Sequence, residues 1–172
     1  GKPRPGHFRG VLTVIAKLFH ICMPHIAIFG QKDAQQAKLI QLMVRDMNFP
    51  IKIVLCPIIR EPDGLAMSSR NKYLLAEERN DALCLVNTLK LAKKLYSAGN
   101  CSPHAIIEQL TEVICAVPSA KIDYIEIVDA ETFQPVTSME KPVTVVLAVW
   151  IGKTRLIDNL CLPDDRLSNI TN

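Results

Sequence analysis

The chain has 172 residues, 49% of them hydrophobic, and its 20 basic and 17 acidic residues leave a formal net charge of +3. That length is enough for one full domain or two small ones with a proper core. The small charge excess argues against a nucleic-acid partner, whose binding surface usually needs a denser basic stripe. The longest apolar run, Val143–Ile151, is too short to span a bilayer, so we expect no membrane partner.

The positions of the cysteines and histidines narrow the class of protein further. The six cysteines form no Cys-x-x-Cys motif, and several lie in apolar runs, where a free thiol acts as a small hydrophobe. With no recognisable signal peptide, this pattern predicts a reduced, cytoplasmic protein rather than a disulfide scaffold. His20, His25 and His104 show no ligand spacing, so we predict no metal site within the chain.

The first third of the chain alternates helical and strand patterns. Apolar residues recur every three or four positions from Phe8 to Cys22, which predicts an amphipathic helix. The short apolar run Ile26–Phe29 is typical of a strand buried on both faces. A second helix is predicted from Ala34 to Met47 and a second strand from Ile51 to Ile59. This α/β order with short links predicts a parallel sheet with crossover helices.

After residue 59 the pattern changes to an α+β order. Residues 60–72 are polar and show no periodicity, whereas a long helix is predicted from Ala76 to Ala98. Ser102 and Pro103 form the start of another helix that runs to Ala116. Antiparallel strands are predicted at Ile122–Val128, Val143–Ile151 and Thr154–Leu160. We therefore predict one α/β domain over residues 1–59 and a smaller α+β domain over residues 60–172.

The first polar segment, Gly30–Gln36, lies where a strand ends and a helix begins. Ligands of open α/β sheets bind at that end of a strand, where Gly30 lets the backbone approach them and Lys32 offers a charge to a phosphate. Asp33 and Gln36 also have the spacing of a capping box, and Lys32 is equally readable as a surface lysine. The two interpretations of this segment are compatible, because a capping side chain can also face a ligand.

The second polar segment contains Ser68, Ser69 and Arg70. Two hydroxyls beside a guanidinium suit phosphate oxygens, although serines are also common in ordinary turns. The preceding Pro62, Asp63 and Gly64 are a turn signal that would direct the segment. Both segments together indicate the two sides of one nucleotide site.

Several stretches of the chain, in order, resemble the bacterial pantothenate synthetase (pantoate–β-alanine ligase) family. They are Arg4–Val11, Phe29–Gln36, Val44–Pro50, Arg60–Leu74 and Gly152–Asn159. The resemblance implies the C-terminal part of a Rossmann-like nucleotidyltransferase domain with parallel strands, followed by a smaller α+β lid domain with an antiparallel sheet. It also implies a homodimer for the full-length protein.

The resemblance assigns roles to residues of both segments. It implies that Gly30, Gln31, Lys32 and Asp33 line the ribose and phosphates of ATP, and that Gln36 holds pantoate. The implied adenine contact is Ile59. The residues that correspond to the phosphate-gripping Lys-Met-Ser-Lys-Ser loop of class I aminoacyl-tRNA synthetases are Met67, Ser68, Ser69 and Arg70. Lys32, Ser68, Ser69 and Arg70 are thus the candidate catalytic residues.

The implied activity is an ATP-dependent ligation. ATP activates pantoate as pantoyl-adenylate, and β-alanine then displaces AMP to give pantothenate. The family's His-x-Gly-His segment and its Mg²⁺ carboxylate lie N-terminal to the matched region, so we expect this chain to be truncated and inactive alone. Two alternatives stay open at this point: another adenylate-forming nucleotidyltransferase with a different acid, or a non-catalytic folded fragment.

Overall fold

A computed structural model describes residues 6–163 of the chain. The chain divides into a first unit that ends at Pro57 and a second unit that begins at Ile58. Helices and a parallel sheet form the first unit, whereas the second combines helices with an antiparallel sheet. The predicted fold class, α/β followed by α+β, is therefore confirmed.

The first unit alternates helices and parallel strands as expected. Its elements are α1 (His7–Cys22), β1 (Ile26–Gly30), a 3₁₀ turn (Gln31–Asp33), α2 (Ala34–Asp46) and β2 (Lys52–Cys56). The strands pair in parallel, with Ile26 opposite Lys52 and Gly30 opposite Cys56. The second strand ends earlier than predicted, because Pro57 has no N–H to continue a ladder. Ile59 consequently lies outside the sheet.

The first unit buries one face of its sheet. Helices α1 and α2 share a core with the inward side chains of β1, and its buried members are Phe19, Ile40 and Ile51. On the other face of β1, Ile26 and Ile28 are 56% and 66% exposed. The α1 and α2 residues of this core pack against the face of β1 that carries Ala27 and Phe29. Within residues 6–163 the prediction of a strand buried on both faces is therefore wrong.

The second unit contains most of the buried apolar residues. Its elements are a 3₁₀ helix (Ser69–Tyr73), α3 (Ala76–Asp81), α4 (Leu83–Ser97), α5 (Pro103–Cys115), β3 (Ala120–Asp129), β4 (Val143–Ile151) and β5 (Thr154–Leu162). The strands form one antiparallel sheet in the order β3-β4-β5. The single helix predicted from Ala76 to Ala98 is instead two helices, because the chain tightens at Ala82, where Leu85 N donates to the Ala82 carbonyl at 3.2 Å. The short helix α3 begins with the Glu78 carboxylate accepting from Leu75 N at 3.0 Å.

The core of the second unit lies between its sheet and α4 and α5. Every other residue of β4 and the inward faces of both helices contribute to it, as Leu147, Leu89 and Ile106 illustrate. Cys84 on α4 is part of this core and is 4% exposed. Burial, followed by the nearby Asp81 charge, raises the pKa of the Cys84 thiol to about 11.

Candidate active site

The first candidate segment follows β1 directly. Gly30 ends the strand with ordinary extended geometry (φ −80°, ψ 135°), and a Cβ built on it would meet no atom within 4 Å. Neither backbone conformation nor a neighbouring protein atom therefore requires glycine here. What the glycine leaves is open space beside the carboxyl end of a parallel strand, which is where such sheets receive ligands.

The predicted capping box of Asp33 and Gln36 is wrong as a cap. Asp33 occupies the N-cap position of α2, but its side chain accepts no capping hydrogen bond. Its backbone (φ −91°, ψ 57°) belongs to the preceding 3₁₀ turn and is not the extended conformation from which an N-cap side chain folds back. The predicted cap at Ser102 does form, with its hydroxyl accepting from Ala105 N at 3.4 Å.

The side chains of this segment differ in exposure. Gln31, Lys32 and Gln36 are partly buried, whereas Asp33 is exposed. Lys32 is therefore not a fully solvated lysine. Gln36 is the third residue of α2, so both it and Lys32 lie within one turn of a helix N-terminus, the positive end of the helix dipole.

The second candidate segment begins with a tight hairpin turn. Gly64 N donates to the Glu61 carbonyl and Glu61 N donates to the Leu65 carbonyl, both at 2.8 Å, and Arg60 pairs with Ala66 as an isolated antiparallel bridge. Gly64 has φ +96°, the left-handed conformation that a three-residue hairpin loop assigns to glycine. The turn predicted from Pro62, Asp63 and Gly64 is therefore confirmed; its hairpin form was not predicted.

An ion pair anchors this hairpin to the sheet. Arg60 Nη1 and Nη2 lie 2.7 Å and 3.0 Å from the two carboxylate oxygens of Asp158 on β5, and Nη1 also donates to the Gly64 carbonyl at 3.0 Å. The Asp158 side chain is fully buried. The sequence analysis assigned neither residue this role, although an aspartate in the middle of a predicted strand was a usable signal.

A second charged cluster lies on the other side of the hairpin. Arg79 Nη2 from α3 lies 2.8 Å from Glu61 Oε2 and 2.6 Å from Asp63 Oδ2. Hydrogen bonds from Asn71 and then Arg79 lower the pKa of Glu61, and the bond from Arg79 is the main cause of the lowered pKa of Asp63. Folding therefore favours the ionised form of both carboxylates.

Beyond the hairpin, the predicted phosphate-binding residues lie together. Ser68 is partly buried, and its Oγ accepts from Arg70 N at 3.2 Å. Ser69 and Arg70 are exposed at the start of the 3₁₀ helix, an element that sequence reasoning did not predict. Ile59 and Met67 are 70% and 53% exposed, and Met67 N donates to the Ile59 carbonyl at 2.9 Å.

Two kinds of feature are missing from residues 6–163. No helix in this part of the chain has the length and apolar character needed to cross a membrane. Nowhere in the same residues do three or more His, Cys, Asp or Glu side chains group as potential ligands of one metal ion.

Comparison with known proteins gives consistent matches. The profile of the family described as Pantoate-beta-alanine ligase matches residues 1–161. The pantothenate synthetase of Pseudothermotoga lettingae is 53% identical over 162 residues, which cover 94% of this chain and 58% of that protein. The pantothenate synthetase of Geobacter sulfurreducens is 51% identical over 96% of this chain and 59% of its own length. The chain thus spans somewhat more than half the length of these relatives.

Solved structures agree with the sequence matches. The crystal structure of pantothenate synthetase from Thermus thermophilus superposes with a TM-score of 0.88 at 41% identity and covers 93% of this chain and 58% of that chain. The pantoate-beta-alanine ligase from Francisella tularensis, complexed with beta-gamma ATP and beta-alanine, gives a TM-score of 0.64 at 38% identity over 93% of this chain and 52% of that chain. By profile, sequence and structure, this chain belongs to the pantoate–β-alanine ligase family.

Proposed function

We propose that this chain is part of an ATP-dependent ligase that condenses pantoate with β-alanine to give pantothenate, AMP and pyrophosphate. The observation that carries the proposal is the family match over residues 1–161. The complex of the Francisella tularensis relative with beta-gamma ATP and beta-alanine supports ATP and β-alanine as co-substrates.

The proposed chemistry has two displacement steps. The pantoate carboxylate attacks the α-phosphorus of ATP, an acyl–phosphate bond forms, and the bond to pyrophosphate breaks. The β-alanine amine then attacks the activated carbonyl, an amide forms, AMP leaves, and the amine gives up a proton. Both steps depend on positioning and on stabilising phosphate charge more than on covalent catalysis by the protein.

The first unit would hold the ribose and phosphates at Gly30, Gln31, Lys32 and Asp33. Open space beside Gly30 supports this role, because an anion could approach the backbone at the strand end and the start of α2. Lys32 would neutralise phosphate oxygens during adenylation. Gln36, on the first turn of α2, would bind pantoate.

The second unit would hold the adenine and the phosphates from its own segment. Ile59 and Met67 have exposed apolar side chains, and a backbone hydrogen bond holds the two residues side by side. Their side chains would suit contact with the flat face of a base. Ser68 and Ser69 can donate hydroxyl hydrogen bonds to phosphate oxygens. Arg70 can add a charged, forked donor.

Mg²⁺ is the metal we expect to accompany ATP. Residues 6–163 contain no group of three or more His, Cys, Asp or Glu side chains, but Mg²⁺ on a nucleotide usually takes only one or two carboxylates besides phosphate oxygens. The family resemblance places that carboxylate N-terminal to the matched region. We therefore propose that its ligand belongs to a part of the protein outside this chain. We also propose a cytoplasmic homodimer and a Rossmann-like nucleotide domain for the whole protein, from the family resemblance.

The test is ATP–pyrophosphate exchange by the protein expressed from the full reading frame that encodes this chain. We expect exchange of labelled pyrophosphate into ATP only when pantoate is present, and pantothenate formation when β-alanine is added. Acids of similar size, such as 2-hydroxyisovalerate and lactate, serve as the comparison panel. Exchange driven by another acid and not by pantoate would replace this proposal with a different adenylate-forming enzyme.

A further inference from the structure

The side-chain amide of Asn71 forms hydrogen bonds beside the stretch Met67–Arg70, whose residues other than Ser68 are exposed. Its Nδ2 donates to the carbonyl of Ala66, the residue before the stretch, at 3.2 Å. Asn71 itself is the residue after the stretch, and its backbone N–H donates to the Ser68 carbonyl at 3.1 Å. Asn71 is therefore bonded through its side chain to the residue before the stretch and through its backbone to the second residue of the stretch.

The same amide is held in place from the other side. Asn71 Nδ2 also donates to Glu61 Oε1 at 2.5 Å, and the second oxygen of Glu61 accepts from Arg79 on α3. Ala66 is 4% exposed and Leu65 beside it 2%, so the near end of the stretch is anchored in the core of the second unit. The stretch is therefore anchored by the two hydrogen bonds that the Asn71 NH₂ group donates and by the buried residues Leu65 and Ala66.

We infer that Asn71 is a positioning residue for the proposed reaction, because its amide sets the relative placement of Ser68, Ser69 and Arg70. This inference rests on the proposed function. The Asn71 side chain would act on the phosphates indirectly, through the position of Ser68, Ser69 and Arg70. A carboxamide is suited to holding this segment because a single NH₂ group donates to two acceptors at once. Misplacement of a positioned group by about 1 Å can cost roughly 10²-fold in rate.

The main test is Asn71→Asp in the protein from the full reading frame. This change keeps the shape but presents a carboxylate to two acceptors, the Glu61 carboxylate and the Ala66 carbonyl. We expect the maximal rate of pantoate-dependent pyrophosphate exchange to fall roughly 10- to 100-fold. The KM for pantoate should stay within about twofold, because the proposed pantoate contact, Gln36, belongs to the other unit.

A double variant and a stability control separate positioning from folding. Adding Glu61→Gln to Asn71→Asp restores a donor and acceptor between these two residues, so we expect part of the lost rate to return. Asp129→Ala removes three hydrogen bonds in another loop of the same unit, those from Glu131 N, Thr132 N and Thr132 Oγ1. It should lower the melting temperature without changing the exchange rate per folded molecule.

A further variant, Asn71→Ala, is tested by amide hydrogen exchange, a measurement that does not require catalytic activity. We expect the amides of residues 67–71 to exchange at least about tenfold faster, while those of β5 keep their rates. Wild-type amide exchange rates in Asn71→Ala, or a wild-type reaction rate in Asn71→Asp, would overturn the inference. A wild-type protein without pantoate-dependent exchange would overturn the proposed function, and the amide exchange rates would still decide whether Asn71 holds the segment.

Discussion

Arg60 and Asp158 lie 98 residues apart in the sequence and form a bidentate ion pair in which the carboxylate is completely buried. A buried carboxylate that loses its partner costs about 3–5 kcal/mol, so Arg60→Ala should lower the free energy of unfolding by about that amount. The pair of Arg155 with Asp123 offers a matched control, because Nη2–Oδ2 is again 2.7 Å but the aspartate is 23% exposed.

For Arg155→Ala we expect a loss of about 1 kcal/mol or less, as is usual for solvated pairs. Urea unfolding of the chain followed by circular dichroism measures both variants. Equal losses would show that burial of Asp158 does not make the Arg60 pair costly to break.

Lys32→Ala should reduce adenylation far more than it affects folding. Removal of one preorganised charge from the transition-state phosphates typically costs roughly 10²–10³-fold in rate. Pyrophosphate exchange by the protein from the full reading frame measures this effect. Lys17→Ala is the control, since Lys17 is an exposed lysine on α1 of the same unit. If both variants exchange at the wild-type rate, Lys32 has no role on the phosphates.

Gln36→Glu should raise the KM for pantoate strongly and leave stability unchanged or slightly higher. A carboxylate at this position would repel the pantoate carboxylate, whereas the start of a helix favours negative charge. Gln35→Glu is the matched control, because it makes the same charge change at the neighbouring, exposed position of α2. Equal KM values for the two variants would contradict a pantoate contact at Gln36.

Arg79→Met should weaken the acid dependence of stability in the second unit. The folded pKa values of Glu61 and Asp63 are lowered, so their contribution is present above the ordinary carboxyl pKa of about 4 and is lost as pH falls through the lower folded values. Without Arg79 this loss should shrink. Melting temperatures between pH 7 and about pH 3 measure it, and Lys90→Met controls for the change in net charge.

Local sequence patterns predicted most helices and strands but not the long-range polar contacts. The predicted bounds of β4, Val143–Ile151, are those observed, because every residue of this segment except Thr144 is apolar. The break at Ala82 escaped prediction, since residues 76–98 contain no glycine or proline that would signal it. The side chain of Asp33 matched the capping pattern, but the preceding 3₁₀ turn gave its backbone the wrong conformation.

The candidate site shows the same division. The chemistry of Ser68, Ser69 and Arg70 points to phosphate binding, and this role stays a prediction. The sequence could not reveal that Asn71 holds the stretch that contains them, because that role depends on where the hairpin brings the Ala66 carbonyl and the Glu61 carboxylate. Supporting contacts of this kind arise from folding and carry no local signature.

Because Cys84 is buried, the rate at which its thiol is alkylated should report how often the core of the second unit opens. Four other thiols are exposed, those of Cys22, Cys56, Cys101 and Cys115, so an alkylating reagent should modify them quickly. Cys84 is buried and its pKa is raised to about 11, which leaves almost no thiolate at neutral pH, and thiolate is the reactive form. Intact-mass kinetics should therefore show a last, slow adduct on Cys84 whose rate follows the opening of the second unit's core.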